Sequence, residues 1–208
     1  MNNYQIIDIN TWERADHFNL FKNFALPQIG ITTELDITNF RRKTKENAWS
    51  FSFAFIHLVA KCANEIKNFR YRFYHGDAVH YNKINTTFTY MNHDTNLFKI
   101  VSVETTDNIN NYINKAIETA KNQDEYLTTL PNNTYLFSAL PWLTYTHLSS
   151  TCSGNKEDAT PKFHWGKYFE RDGKLFMPFS IHAHHAFVDG LHIGKLVQRI
   201  QEDINILQ

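Results

Sequence analysis

Apolar residues recur at helical spacing in two parts of the chain. After Asp107 they mark one face of an amphipathic helix (Ile109, Tyr112, Ile113, Ala116, Ile117 and Ala120). Near the C-terminus the same spacing predicts a second helix (Ile193, Leu196, Val197, Ile200, Ile204 and Leu207). The most apolar run, residues 49–63, is interrupted by polar side chains and is shorter than the ~20 residues a membrane span needs. We therefore expect a buried helix over residues 49–66.

Shorter β-rich runs alternate with these helices. Strands are expected at residues 4–9, 30–34, 78–82, 86–91, 97–103 and 174–181, with a hairpin turn at Asn92-His93-Asp94. A further short helix, capped by Asp36, is expected to run through Phe40 to about Lys45. Because strands and helices are mixed without strict alternation, the pattern predicts an α/β (α+β) protein whose mixed β-sheet carries helices on one side.

Composition limits the class of protein. The chain has 208 residues, of which 42% are hydrophobic and 15% aromatic, enough for a substantial core in a single domain spanning 1–208. The stretch 149–161 is expected to be a surface loop. Equal numbers of acidic and basic residues, 21 of each, argue against binding nucleic acid through a bulk basic field. With only two cysteines and no apolar signal segment behind a basic start, we expect a cytoplasmic protein without a membrane anchor.

The strongest candidate for chemistry is a histidine-rich stretch between the last strand and the last helix. His184 and His185 are adjacent, Asp189 follows four residues after the second histidine, and Gly190 comes next, where glycine would suit a positive φ or a close backbone approach. A neutral imidazole beside apolar residues is a general base. Packing within the core is the simplest alternative. A metal shared by His182 and His184 is another, since adjacent strand residues such as His184 and His185 point to opposite faces.

Three motifs resemble those of the chloramphenicol acetyltransferases, type A, and the first is shared with the acyltransferase cores of 2-oxo acid dehydrogenases. Residues 184–190 match the signature HHxxxDG, residues 12–18 match WxRxxHF, and residues 138–142 read SALPW. The resemblance implies that Arg14 pairs with Asp189. It also implies that Ser138 stabilises the oxyanion of the tetrahedral intermediate.

The resemblance covers the chain from Trp12 to the last helix and implies a complete activity. His185 would act as general base in a ternary complex, in which an acetyl group passes from the co-substrate acetyl-CoA to a hydroxyl of chloramphenicol. This reaction inactivates the antibiotic. The resemblance implies no permanently bound cofactor and no metal. Lys167 and Tyr168 would lie beside the coenzyme. The family assembles as a homotrimer with active sites at subunit interfaces. Two alternatives stay open: an acetyltransferase of the same CoA-dependent acyltransferase fold acting on another alcohol, and a non-catalytic oligomeric binding protein.

The acceptor pocket departs from the family at several positions. His164 stands where the family has a threonine that binds an ordered water, and Phe21 stands where it has a tyrosine. Leu148 and Ser150 replace two apolar pocket residues, whereas Phe98 is kept. The resemblance therefore implies intact catalytic groups and an altered acceptor site.

Overall fold

A computed structural model describes residues 3–207. Five α-helices and ten β-strands are assigned in this part of the chain: β1 (Tyr4–Ile6), α1 (Ala15–Phe21), β2 (Gln28–Asp36), α2 (Thr38–Glu46), α3 (Phe51–Glu65), β3 (Tyr71–Tyr74), β4 (Asp77–Tyr81), β5 (Asn85–Asn92), β6 (Leu97–Val103), α4 (Ile109–Asn122), β7 (Thr134–Leu140), β8 (Lys162–Gly166), β9 (Phe169–Arg171), β10 (Lys174–His184) and α5 (Gly190–Ile206). A short 3₁₀ helix, Lys67–Arg70, precedes β3.

The main sheet is mixed, as the sequence predicts. Its strands run in the order β2-β10-β8-β7-β5-β6, with β9 added beside β10, and a separate small sheet has the order β1-β4-β3. The β5–β7 and β7–β8 pairs are parallel, while β10 is antiparallel to both β2 and β8. Parallel neighbours need crossover connections, and long segments of chain indeed separate β5 from β7 and β7 from β8.

One face of this sheet carries the helices. Helix α3 packs against β5 and β7, α5 against β2 and α2 against β10, and α3 contacts α2, α4 and α5, so these four helices form one layer. The aromatic side chain of Phe55 on α3 meets Trp165 and Phe179 from β8 and β10. Because strand residues alternate in direction, the neighbouring residues His164 and Ser180 point to the opposite, helix-free face.

Several sequence predictions need correction. Strand β10 runs three residues further than expected, to His184, and β1 ends at Ile6 rather than residue 9. The helix expected to open at Asp107 begins at Ile109 as α4, and its N-cap is Asn108, whose side chain accepts from the backbone N–H of Asn111. Strands β3, β7, β8 and β9 were not predicted at all. In β8 the polar residues Lys162 and His164 alternate with the apolar residues Phe163 and Trp165, so the sequence did carry a strand signal there, but the run of five residues was too short to be singled out.

Candidate active site

The turn after β10 fixes the orientation of His185. The backbone N–H of His185 donates to the Pro27 carbonyl at 2.8 Å, and its Nδ1 lies 3.0 Å from the Val188 carbonyl. A carbonyl only accepts, so this bond assigns the ring proton to Nδ1 and leaves Nε2 with its lone pair. Within residues 3–207, Nε2 has no hydrogen-bond partner. The Phe21 ring stacks on the imidazole at 4.0 Å with an interplanar angle of 13° and holds its plane.

Arg14 ties this turn together. Its Nε donates to the Ala186 carbonyl at 2.8 Å, Nη2 donates to the His185 carbonyl at 3.0 Å, and Nη1 pairs with Asp189 Oδ2 at 2.9 Å. The predicted pairing of Arg14 with Asp189 is therefore confirmed. Although burial opposes ionisation, the hydrogen bond from Arg14 and the nearby positive charge hold the pKa of Asp189 below its ordinary value.

Asp189 also begins helix α5. Its Oδ1 accepts from the Leu191 N–H at 3.2 Å, the bond of an N-cap residue. Gly190 is the first helical residue, its φ is not positive, and a Cβ atom placed there would meet nothing within 4 Å. The expectation that Gly190 supplies a positive φ or a close approach is therefore wrong, and none of residues 3–207 accounts sterically for a glycine here.

His182 and His184 do not share a metal site. The Nε2 of His182 donates to the Leu148 carbonyl at 3.0 Å, and that of His184 donates to the Lys156 carbonyl at 2.9 Å. Burial lowers the pKa of His184 to about 4, so this ring is neutral. Both histidines hold the 148–158 loop against the sheet. Among residues 3–207, no group of three or more His, Cys, Asp or Glu side chains is arranged to hold a metal ion.

Lys162 secures the same loop from the neighbouring strand. Its buried side chain donates to the Thr151 carbonyl at 3.0 Å and pairs with Asp158 Oδ2 at 3.1 Å. No motif of the sequence singled out this pair. Residues 149–161 form no helix or strand, so the expectation of a loop is confirmed.

Under this loop lies a cavity of about 910 Å³, whose lining also includes residues at the start of helix α3, Ser52, Phe53 and Ile56. Ser138, His164, Leu148, Ser150 and Phe98 all line it. Four predicted pocket residues and the predicted oxyanion donor are thus brought together. Phe21 lies elsewhere, against His185, and Lys167 and Tyr168 lie in the β8–β9 turn, where the Arg41 guanidinium sits 5.9 Å from the Tyr168 ring.

Two strands place His164 beside Ser138. The two residues are register partners in the parallel β7–β8 pair, and both side chains leave the sheet on the cavity side. The Nε2 of His164 is 3.1 Å from Ser150 Oγ. Burial, with smaller contributions from His182 and Lys162, lowers the pKa of His164 to about 4. Because Nε2 is engaged by Ser150, the neutral imidazole offers only Nδ1, as donor or acceptor according to its tautomer, to whatever fills the cavity.

His185 and Ser138 are far apart within one chain. Ser138 is in register with His164, and His164 is in register with Ser180, two strands away from Ser138. His185 lies five residues beyond Ser180. At ~3.3 Å per residue and ~4.8 Å between strands, the two Cα atoms are about 19 Å apart. His185 is also not among the residues that line the cavity. Their side chains therefore cannot reach the same atom of a substrate in a single subunit.

A mixed sheet with one helical layer and a histidine turn at the end of its last long strand defines the CoA-dependent acyltransferase class. A solved structure of a probable dihydrolipoamide acetyltransferase from Listeria monocytogenes shares this fold with a TM-score of 0.67, at 17% identity over 93% of this chain and 90% of its own. A solved chloramphenicol acetyltransferase superposes with a TM-score of 0.87, at 28% identity over 96% of this chain and 98% of its own.

Sequence comparison gives the family. Residues 1–201 match the family model described as chloramphenicol acetyltransferase. A curated chloramphenicol acetyltransferase from Klebsiella sp is 29% identical over 96% of this chain and 93% of its own length, and one from Clostridium butyricum is 27% identical over 96% and 94%. The chain belongs to the chloramphenicol acetyltransferase family. Among the described residues, no helix combines the length and the apolar character that crossing a bilayer requires.

Proposed function

We propose that this protein transfers the acetyl group of acetyl-CoA to a hydroxyl of chloramphenicol. The observation that carries the proposal is the geometry of His185, whose Nδ1 is occupied by the Val188 carbonyl and whose Nε2 is unpartnered. It occurs in a chain whose residues 1–201 match the chloramphenicol acetyltransferase family. An alcohol is a poor nucleophile at neutral pH, and a positioned base typically contributes about 10²–10⁴-fold to the rate.

The reaction runs in one ternary complex. His185 Nε2 takes the proton of the acceptor hydroxyl as its oxygen attacks the thioester carbon, and Ser138 donates a hydrogen bond to the developing oxyanion. The intermediate collapses by breaking the C–S bond, and His185 returns the proton to the sulfur of CoA. The acetyl group passes directly between the two substrates, so no acyl-enzyme forms. Arg14 and Asp189 keep the His185 turn in place and do not react.

Two copies of the chain build each active site. A base and an oxyanion donor must both lie within about 3 Å of the reacting atoms, yet His185 and Ser138 are ~19 Å apart in one subunit. Apposing the His185 turn of one subunit and the cavity of its neighbour satisfies this requirement. A closed ring of such contacts is a homotrimer in this family, and cyclic closure uses every His185 and every cavity once.

Coenzyme and acceptor occupy different parts of that interface. Lys167 and Tyr168, with Arg41 near the Tyr168 ring, form a cationic and aromatic surface suited to the phosphates and adenine of CoA. The acceptor lies in the cavity, with Phe98 and Leu148 on its wall and Phe21 covering His185. Because both thiols of the chain are free, Cys62 buried and Cys152 exposed, a reducing compartment such as the cytoplasm suits the protein.

A second acceptor class is favoured by one observation. His164 and Ser150 form a hydrogen-bonded polar pair inside the cavity, within reach of a second polar group on the acceptor. This pair favours an acceptor alcohol that carries a more polar group beside its reacting hydroxyl than chloramphenicol does. The catalytic steps are the same for either acceptor.

The test is a thiol-release assay with acetyl-CoA and a panel of acceptors. The proposal requires acceptor-dependent release of CoA with chloramphenicol and formation of acetylated chloramphenicol by mass spectrometry. Turnover only with other alcohols would show that the acceptor belongs to the second, more polar class. Absence of turnover with every acceptor, by a folded oligomer, would leave the non-catalytic binding protein.

A further inference from the structure

Thr89 on strand β5 holds the hydroxyl group of Ser138. Its Oγ1 donates to Ser138 Oγ at 3.1 Å, and both residues line the cavity. We infer that Thr89 is a positioning residue that aims the Ser138 proton at the oxyanion. The inference rests on the proposed acetyl transfer and extends it by one residue that no motif of the sequence contains.

The single hydroxyl proton of Ser138 is not used by any group among residues 3–207. A serine hydroxyl has one proton to give and two lone pairs to accept with. The bond from Thr89 occupies one lone pair, so the Ser138 proton cannot also point at Thr89 Oγ1. Within residues 3–207, Ser138 Oγ has no other hydrogen-bond partner. The proton is therefore left for an acceptor in the cavity, which is where an oxyanion donor must aim it.

The side chain of Thr89 has less rotational freedom than that of Ser138. Both backbones are held in the sheet, since Thr89 is in register with Ile100 of β6 and Ser138 with His164 of β8. Thr89 and Ser138 each follow the last register pair of β5 and β7, Phe88 with Phe137, and their side chains leave the sheet side by side. Threonine is β-branched, so few χ1 rotamers are open to its hydroxyl. The Ser138 side chain can adopt more χ1 rotamers, and the hydrogen bond from Thr89 restricts it to one of them.

The expected effect is modest and confined to one kinetic step. Without Thr89 Oγ1 the Ser138 proton samples other directions, and the loss is that of one neutral hydrogen bond, about 2- to 12-fold in kcat. The KM values for both substrates should stay within about twofold, because the bond stabilises charge that develops only in the transition state.

Strand β5 supplies its own control. Thr87 lies two residues earlier on the same strand face, and its Oγ1 bonds to Ser102 Oγ at 2.8 Å without contacting Ser138. Thr89→Val and Thr87→Val exchange a hydroxyl for a methyl of similar size on one strand. Thr89→Ser keeps the hydroxyl.

The experiment measures kcat, KM and thermal stability for these variants and for Ser138→Ala, alone and combined with Thr89→Val. We expect Thr89→Val to lower kcat by the stated factor, Thr89→Ser to restore most of it, and Thr87→Val to leave it near wild type. In the Ser138→Ala background, Thr89→Val should have no further effect on kcat.

Two results would overturn the inference while leaving the acetyl transfer intact. One is an unchanged kcat in Thr89→Val when Ser138→Ala is strongly impaired. The other is an equal loss in Thr89→Val with and without Ser138, which would show that Thr89 acts through something else. A wild-type protein that acetylates none of the acceptors refutes the proposed function, and the role of Thr89 falls with it.

Discussion

Replacing Arg14 by methionine should loosen the histidine turn and destabilise the whole protein. The guanidinium donates to Asp189 and to the carbonyls of His185 and Ala186, and its side chain is only 9% exposed. Breaking a buried ion pair costs about 3–5 kcal/mol. Since the side chain of Asp189 is 29% exposed and can be rehydrated, we expect a loss near the lower end of that range, about 3 kcal/mol.

This loss is large enough to measure in a thermal melt. For a domain of about 200 residues, 3 kcal/mol corresponds to a fall of roughly 6–12 °C in Tm. Arg42→Met is the matched control, because Arg42 pairs with Glu46 on the surface and both side chains are 46% exposed. It should change the free energy of unfolding by less than about 1 kcal/mol. Melts must be compared at one protein concentration, since oligomers gain stability from association.

The double variant decides whether the charge pair is responsible. Asp189→Asn keeps a good N-cap for α5 and a neutral acceptor for Arg14, so it should cost less than Arg14→Met. Combining the two removes the unpaired carboxylate, and the total loss should be smaller than the sum of the single losses. Strictly additive losses, or an Arg14→Met variant as stable as Arg42→Met, would refute the reasoning.

Three further predictions test the active site. His185→Ala and Ser138→Ala should each lose activity, by at least about 10²-fold for His185. If two subunits share each site as proposed, mixed oligomers of the two variants should regain about a quarter of wild-type activity, because an interface then draws its His185 and its Ser138 independently from two subunits. A mixture that stays inactive would place both residues in one subunit. His164→Thr should lower turnover several-fold, or shift the ratio between chloramphenicol and other alcohols, with the KM for acetyl-CoA unchanged; an unchanged rate and ratio would remove His164 from the acceptor site. Burial lowers the pKa values of His164 and His184 from 6.5 to about 4. Between about pH 4 and about pH 6.5 the unfolded chain therefore binds protons that the folded chain does not. The free energy of unfolding should accordingly fall as pH drops from about 6.5 to about 4. Urea unfolding across that range measures the slope, which should be shallower by about one proton in His164→Thr; a pH-independent free energy of unfolding would contradict the burial argument.

Local patterns in the sequence were sufficient for the elements that carry their own signal. Strand β6 has the predicted bounds, and α3 lies within the predicted helix, because an apolar run or a helical periodicity depends only on neighbouring residues. The histidine turn was likewise found from the chain, since His185, Asp189 and the start of α5 follow one another within a few residues. The pairing of Arg14 with Asp189 came from the family resemblance and is confirmed by the 2.9 Å contact.

The relation between the site residues was decided by tertiary structure alone. Strand β8 is a run of only five residues, and nothing in its local sequence tells which strand it pairs with, yet its parallel pairing with β7 is what sets His164 beside Ser138. The pairing of β5 with β7 likewise brings Thr89 to Ser138 across 49 positions of sequence. Which strand lies next to which is fixed by burial of the whole sheet under one helical layer. The sequence therefore determines which groups can do chemistry, while strand order and register determine which of them meet and keep His185 away from Ser138 within one chain.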